Sequence, residues 1–215
     1  MIAAVVFDLD GVLVDSEQVW DEARQQLAEE RGGRWHARAS RDMMGMSSLE
    51  WSRYMRDEIG IEDDPAAIST AVVGRLEAIY REELPLFDGA VAAVERLAAR
   101  WPLGLASSSN RELIDLALAL SGLDRCFAAS VSSEEVMRGK PAPDVYLEAA
   151  RRLGVDATRC AAVEDSENGI RAAKTAGMRV VAIPNPRYPP GEEALRQAEA
   201  RLGSLEELEP SVVEA

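Results

Sequence analysis

The chain has 215 residues, of which 47% are hydrophobic and 29% charged, enough apolar material for a true core of one domain or one and a half. Its 38 Asp and Glu outnumber 24 Lys and Arg, for a net charge of −14. That balance argues against nucleic acid as a partner, which selects a basic face, and against a polybasic membrane contact.

The first element is Ile2–Phe7, a short apolar run that stops at Asp8 and reads as a buried strand. Residues 16–81 read as helical only. Ser16 is expected to cap a helix with Val19, Trp20, Ala23 and Leu27 on one face, closed by Gly32-Gly33. Ser47-Ser48-Leu49-Glu50 has the pattern of a capping box and opens a helix through Trp51, Tyr54 and Met55. Asp64-Pro65 is an N-cap followed by proline at the first helical position, with Ile68, Val72, Leu76 and Ile79 in register.

After residue 82 the texture changes. Helical patterns at 89–100, 111–121, 143–153 and 167–176 alternate with apolar runs at Leu103–Ala106, Phe127–Val131, Cys160–Val163 and Val180–Ile183. Such alternation predicts an α/β fold, a Rossmann-like doubly wound parallel sheet covered on both faces. The helical block 16–81 is then an insertion after the first strand, leaving 1–15 and 82–215 as the α/β part. The Pro-rich 184–190 and the last few residues are expected to be the least ordered.

The cysteines, Cys126 and Cys160, show no C-x-x-C and no zinc spacing and are expected to be reduced core thiols. No basic segment precedes the N-terminal apolar run, and no run is long enough to span a bilayer, so the expected location is cytoplasmic.

In a doubly wound sheet the C-terminal ends of the strands share one rim, where ligands bind. Asp8 and Asp10 follow the first apolar run, and Ser107, Ser108, Ser109 and Asn110 follow the second. Gly139-Lys140-Pro141 lies in the loop beyond the third, and Glu164, Asp165 and Ser166 follow the fourth. Taken singly, each has an ordinary explanation: a chance Asp-x-Asp, helix caps, a solvated lysine. Together, three or four carboxylates on one rim would repel unless a cation sat among them. The candidate ligands are oxygens, and the single histidine, His36, lies in the helical block. Oxygen ligands with few carboxylates select Mg²⁺, which takes a phosphate oxygen as well. Lys140 and Ser107 suit the remaining phosphate oxygens.

These residues resemble the four motifs of the haloacid dehalogenase superfamily. The words DLDGVLVDS at 8–16, LASSSN at 105–110, GKPAPDVY at 139–146 and EDSENGIRAAKTAGM at 164–178 carry the resemblance, which spans residues 1 to about 184. The block 16–81 is similar to the small α-helical cap of the branch that holds β-phosphoglucomutase and many small-molecule phosphatases. The resemblance implies that Asp8 is the nucleophile and forms an aspartyl-phosphate. Asp10 would be the acid that protonates the leaving oxygen and then the base that activates water. It implies that Asp8, the Asp10 carbonyl and Asp165 hold Mg²⁺ with Glu164 orienting its waters, and that Ser107, Ser108 and Lys140 bind the transferring phosphoryl group. Asp10 and the acidic fourth motif set the chain apart from the dehalogenases, which need neither metal nor a second Asp.

Sugar phosphomutases of this superfamily carry a Thr and a His after the second Asp and an Arg on a cap loop. Here those positions match Ser16, Trp20 and Ser48, on the loop Gly45-Met46-Ser47-Ser48, so hydrolysis is the default expectation. The expected substrate is a small phosphorylated metabolite, a sugar or polyol phosphate, with a mutase as the alternative. A phosphate-sensing binding protein is a third reading, against which every chemical position is filled. Trp20, Met44, Met46, Ser47, Ser48 and Trp51 are candidates for meeting the leaving group, although a Met/Trp stripe also suits a cap core. Hinges are expected near 14–16 and 81–86. With no unexplained apolar stripe in the α/β part, the protein is expected to be a monomer.

Overall fold

A computed structural model describes residues 1–44 and 46–215. Gly45, on the predicted cap loop, lies outside the described residues. The helical block comprises α1 (Glu17–Glu30), α2 (Ala39–Met43), α3 (Ser48–Asp57) and α4 (Pro65–Glu82). The α/β part starts with β1 (Ala4–Phe7) and resumes with α5 (Ala90–Ala98), β2 (Leu103–Ser107), α6 (Arg111–Ser121) and β3 (Phe127–Ser132). It continues with α7 (Asp144–Leu153), β4 (Cys160–Glu164), α8 (Glu167–Thr175) and β5 (Arg179–Ala182), and ends with α9 (Glu192–Leu195), β6 (Ala200–Arg201) and α10 (Pro210–Glu214).

The sheet is parallel throughout, in the order β3-β2-β1-β4-β5-β6. β1 sits at the point where the order reverses, between β2 and β4, so its C-terminal end opens into the crevice that doubly wound sheets use for ligands. Strand side chains alternate between faces. Ala4 and Val6 join Val131, Tyr146, Ala149, Ile170 and Ala173 on one face. Val5 and Phe7 join Val94, Leu97, Leu113 and Ile114 on the other, in a cluster that runs on into Leu27, Trp51, Met55 and Leu76 of the helical block.

Local signals act much as expected. Asp64 accepts the Ala66 N–H at 2.8 Å, and Glu50 accepts the Ser47 N–H and hydroxyl at 2.8 and 2.6 Å. Ser16 departs from expectation: it stands at the start of α1 but makes no side-chain cap. The last residues are also more ordered than their position suggested. They form α10, with Val213 buried, and Arg100 pairs with Glu214 at 2.6 Å. Strand β6 escapes sequence reading because it holds two residues. Both cysteines are unpaired, Cys160 buried and Cys126 half-buried. No helix among the described residues is long and apolar enough to cross a membrane. The chain enters and leaves the helical block along two adjacent segments: Asp15 N–H donates to Pro85 O at 2.7 Å and Phe87 N–H to Leu13 O at 3.0 Å.

Candidate active site

Four loops meet at the C-terminal rim of β1, β2 and β4. Asp8 leaves the end of β1 buried, with its N–H donating to Val163 O at 3.0 Å. Lys140 reaches the same point from the loop after β3. Its Nζ donates to Asp8 Oδ1 at 2.8 Å and to Glu164 Oε1 at 2.6 Å, with all three side chains buried. Glu164 ends β4 and is fully engaged. Tyr146 O–H donates to its Oε1 at 2.6 Å, and Asp165 N–H, Ser166 N–H and Ser166 O–H donate to its Oε2 at 3.1, 3.2 and 3.1 Å. The carboxylate lies against Gly169 of α8, where any Cβ would overlap both oxygens. Gly11 serves Asp165 in the same way. It holds φ +80°, and a side chain there would overlap the Asp165 carboxylate, so glycine is required on both counts.

Asp10 sits beside this cluster in a ring of donors. Ser16 O–H and Trp20 Nε1–H donate to Oδ1 at 2.5 and 3.3 Å, and Ser107 O–H and Ser109 O–H donate to Oδ2 at 3.2 and 2.6 Å. The Ser16 hydroxyl thus reaches a carboxylate six residues back in place of its own helix. Ser107 also accepts the Ser109 N–H at 2.9 Å, and the Ser108 carbonyl accepts from Ser133 at 2.9 Å.

Burial dominates the electrostatics. It pushes Asp8 up to about 8 against the pull of Lys140, with Glu164 and Asp10 adding to the rise. Asp165 is raised well above the usual carboxylate range by burial, then by Glu164 and Asp8. Burial would lower Lys140, but Asp8 and Glu164 outweigh it, so the ammonium stays charged. Asp8, Glu164 and Asp165 each offer an oxygen within 4.8 Å of the others, and Asp165 Oδ1 is buried with no hydrogen-bond partner among the described residues. Three buried carboxylates against one lysine leave a charge deficit and one orphaned oxygen, which fits a hard divalent cation. Glu164 falls within that distance, but its two oxygens already receive five donors.

A cavity of about 50 Å³ opens between this rim and the helical block. The rim contributes Asp8, Asp10, Ser108, Lys140 and Asp165, and the block contributes Trp20, Met44, Met46 and Trp51, all anticipated from sequence. Ser107 is fully buried behind the lining. Ser47 and Ser48 do not line the cavity. Ser47 is tied into the capping box and abuts Gly139, while Ser48 turns into a separate cleft with Ser52, Ser69 and Asn110. Ser109 and Ser166, placed on the rim by sequence but given no role there, also line the cavity, as do Glu17, Arg24 and Met43, which the sequence reading does not single out. Arg24 carried a readable signal, since it follows Trp20 by one helical turn and shares its face.

The family model of the haloacid dehalogenase-like hydrolases matches residues 2–177. The chain belongs to this family. Hexitol phosphatase B of Escherichia coli (strain K12) is 33% identical to this hydrolase over 226 aligned positions, covering 96% of the chain and 94% of the relative. The fructose-1-phosphate phosphatase YqaB of the same strain is 30% identical, covering 84% and 96%. Among solved structures, CbbY from Rhodobacter sphaeroides in complex with phosphate superposes with a TM-score of 0.88 at 28% identity, over the whole of both chains. This dehalogenase-like hydrolase is therefore an enzyme built on the family's Rossmann-like α/β fold.

Proposed function

We propose that the protein is a Mg²⁺-dependent phosphatase that hydrolyses the monoester of a small phosphorylated sugar or polyol through an aspartyl-phosphate on Asp8. The observation that carries this reading is the buried Asp8–Lys140–Glu164 bridge set beside the unpartnered oxygen of Asp165. The names of the relatives, phosphatases of hexitol phosphates and fructose 1-phosphate, agree with it. In this reading residues 1–15 and 82–215 form the catalytic core and 16–81 a cap that covers it. The side-by-side connections at 13–15 and 85–87 supply the natural hinge.

The chemistry follows from the chain's own groups. Asp8 attacks phosphorus in line with the ester oxygen. The Asp8–phosphorus bond forms as the phosphorus–ester bond breaks, and a protonated Asp10 delivers its proton to the departing alkoxide. Asp10 then takes a proton from water, which attacks the same phosphorus and releases Asp8 and inorganic phosphate. Lys140 and Ser108 hold the phosphoryl oxygens. Ser107, the third contact expected from sequence, lies buried behind them and donates to Asp10, and Glu164 fixes Lys140 against Asp8. Asp8, the Asp10 carbonyl and Asp165 would hold Mg²⁺, which when bound neutralises charge on the phosphoryl oxygens. Hydrogen bonds from Ser16 and Trp20 fix Asp10 where a mutase is expected to carry Thr and His, so the mutase alternative is not favoured.

The test is phosphate release from a panel of sugar, polyol and glycolate phosphates, with Mg²⁺ or EDTA, for the wild type and Asp8→Asn. The expected result is Mg²⁺-dependent release lost at least 1000-fold in the variant, on the order of 4 kcal/mol of barrier. Equal release in EDTA, or by Asp8→Asn, would refute the mechanism.

A further inference from the structure

The cavity has a second end. Asp8, Asp10, Lys140 and Asp165 close the sheet side, and Glu17, Trp20, Arg24 and Trp51 face them from the helical block. Arg24 is the unusual member. It is only 6% exposed, yet its Nε has no hydrogen-bond partner and it makes no ion pair among the described residues. What it touches is aromatic: its Cζ lies 4.6 Å from the Trp20 ring centroid and 4.9 Å from that of Trp51. The two rings meet edge-on, with centroids 5.7 Å apart. Such cation–π contacts return about 2 kcal/mol when desolvated, less than the several kcal/mol it costs to bury an unpaired charge. The guanidinium keeps its proton all the same, since burial lowers it only to about 10.

The groups around Arg24 indicate what it would hold. The carboxylates that act on it are Glu17, Asp21 and Asp10, so its charge is already balanced at a distance. A second phosphate or a carboxylate at this end would meet those three acids. A hydroxyl would not, because it donates to a carboxylate and accepts from a guanidinium at once. Arg24 and Glu17, two turns apart on α1, supply that donor and acceptor on one side of the cavity.

We propose that Arg24, with Glu17 as its matching acceptor, reads the hydroxyl groups of the uncharged part of the ester, and that this end of the cavity selects against substrates bearing a second anion. The inference rests on the phosphatase reading above and adds its specificity determinant. Trp20 and Trp51 act as positioning residues that fix the guanidinium plane.

The test compares kcat/KM for a hexitol 6-phosphate, for hexyl phosphate, which has the same length and no hydroxyls, and for a hexose bisphosphate. In the wild type the hexitol ester is expected to exceed hexyl phosphate at least tenfold and the bisphosphate to trail it. Arg24→Met should reduce the hexitol-to-hexyl ratio at least tenfold, mostly through KM, while Arg24→Lys keeps part of it. If Arg24→Met does not fold, Arg24→Lys and Glu17→Gln carry the comparison. An unchanged ratio in folded variants overturns the proposal. So does a wild-type preference for the bisphosphate that Arg24→Met removes, which would make Arg24 an anion site. Should no ester be turned over, the phosphatase reading fails separately. Titration of the hexitol phosphate by tryptophan fluorescence then decides the role of Arg24: at least tenfold weaker binding in Arg24→Met supports it, and equal or absent binding overturns it.

Discussion

Replacing Gly169 by alanine separates two forces of opposite sign. In an exposed helix the change gains up to about 1 kcal/mol, because alanine restricts the unfolded chain and favours the helix. In α8 the added methyl would occupy the space of the Glu164 carboxylate. A free glutamate would swing aside at little cost, but this one is held by Lys140, Tyr146, Ser166 and two backbone N–H groups. Overpacking of this kind costs about 1–3 kcal/mol, and loosening a buried ion pair adds to it. The net expectation is a loss of about 2–4 kcal/mol, or a fall of roughly 5–15 °C in Tm for a chain of this size. Displacing Glu164 also releases Lys140 from its position against Asp8, so phosphatase kcat/KM should fall at least tenfold. Thermal melts followed by circular dichroism, with phosphate release measured on the same preparation, check both. A variant that melts higher than wild type with full activity would refute the claim that Glu164 is rigidly held.

Two further outcomes follow from the buried charges. In the metal-free protein Asp8 is raised from 3.8 to about 8 by burial, and Glu17 from 4.5 to about 7 by burial and then by Asp10. A carboxyl raised in the folded state stabilises most below its unfolded value and loses that contribution as pH rises through the folded one. Tm without metal should therefore fall between pH 5 and pH 8, and Mg²⁺ should raise it more at pH 8 than at pH 5; a flat profile by differential scanning fluorimetry would contradict this. Lys140→Met leaves two buried carboxylates without their cation, so stability should drop by about 3–5 kcal/mol in EDTA, with part restored by Mg²⁺, and phosphate release should fall at least 100-fold. An unchanged melt would show that Lys140 does not hold the pair together.

Much of the rim was legible before any coordinates, because Asp8, Ser107, Glu164 and Asp165 each end or directly follow a run of buried apolar residues, and a parallel sheet sends all such ends to one edge. The pairing of Lys140 with Glu164 was not, since it joins the loop after β3 to the end of β4. Tyr146 was missed for a related reason. In a pattern of 143–153 it reads as one more apolar helix position, and only packing against the rim turns its hydroxyl toward Glu164. Ser16 shows the limit of local rules. Sequence offers it the N-cap of α1, where its oxygen would accept a backbone N–H, yet once Gly11 has turned the chain back its hydroxyl instead donates to the carboxylate of Asp10. The block 16–81 was readable as helices, while which side chains line the cavity depended on how those helices meet the rim. Trp20, Trp51 and Arg24 therefore line the cavity, whereas Ser47 and Ser48 lie outside it.

The adjacent segments at 13–15 and 85–87 have an architectural consequence. Because the outgoing and returning strands are joined by direct backbone hydrogen bonds, the α/β part holds both ends of the intervening helices at a fixed, narrow doorway. Whatever is threaded through that doorway need not share a single strand or register with the sheet. An insert of another length could leave from the same doorway without altering the strand pairing of the sheet. The insert is nonetheless tied to the rim as well as to the doorway, because Ser16 and Trp20 both donate to the carboxylate of Asp10.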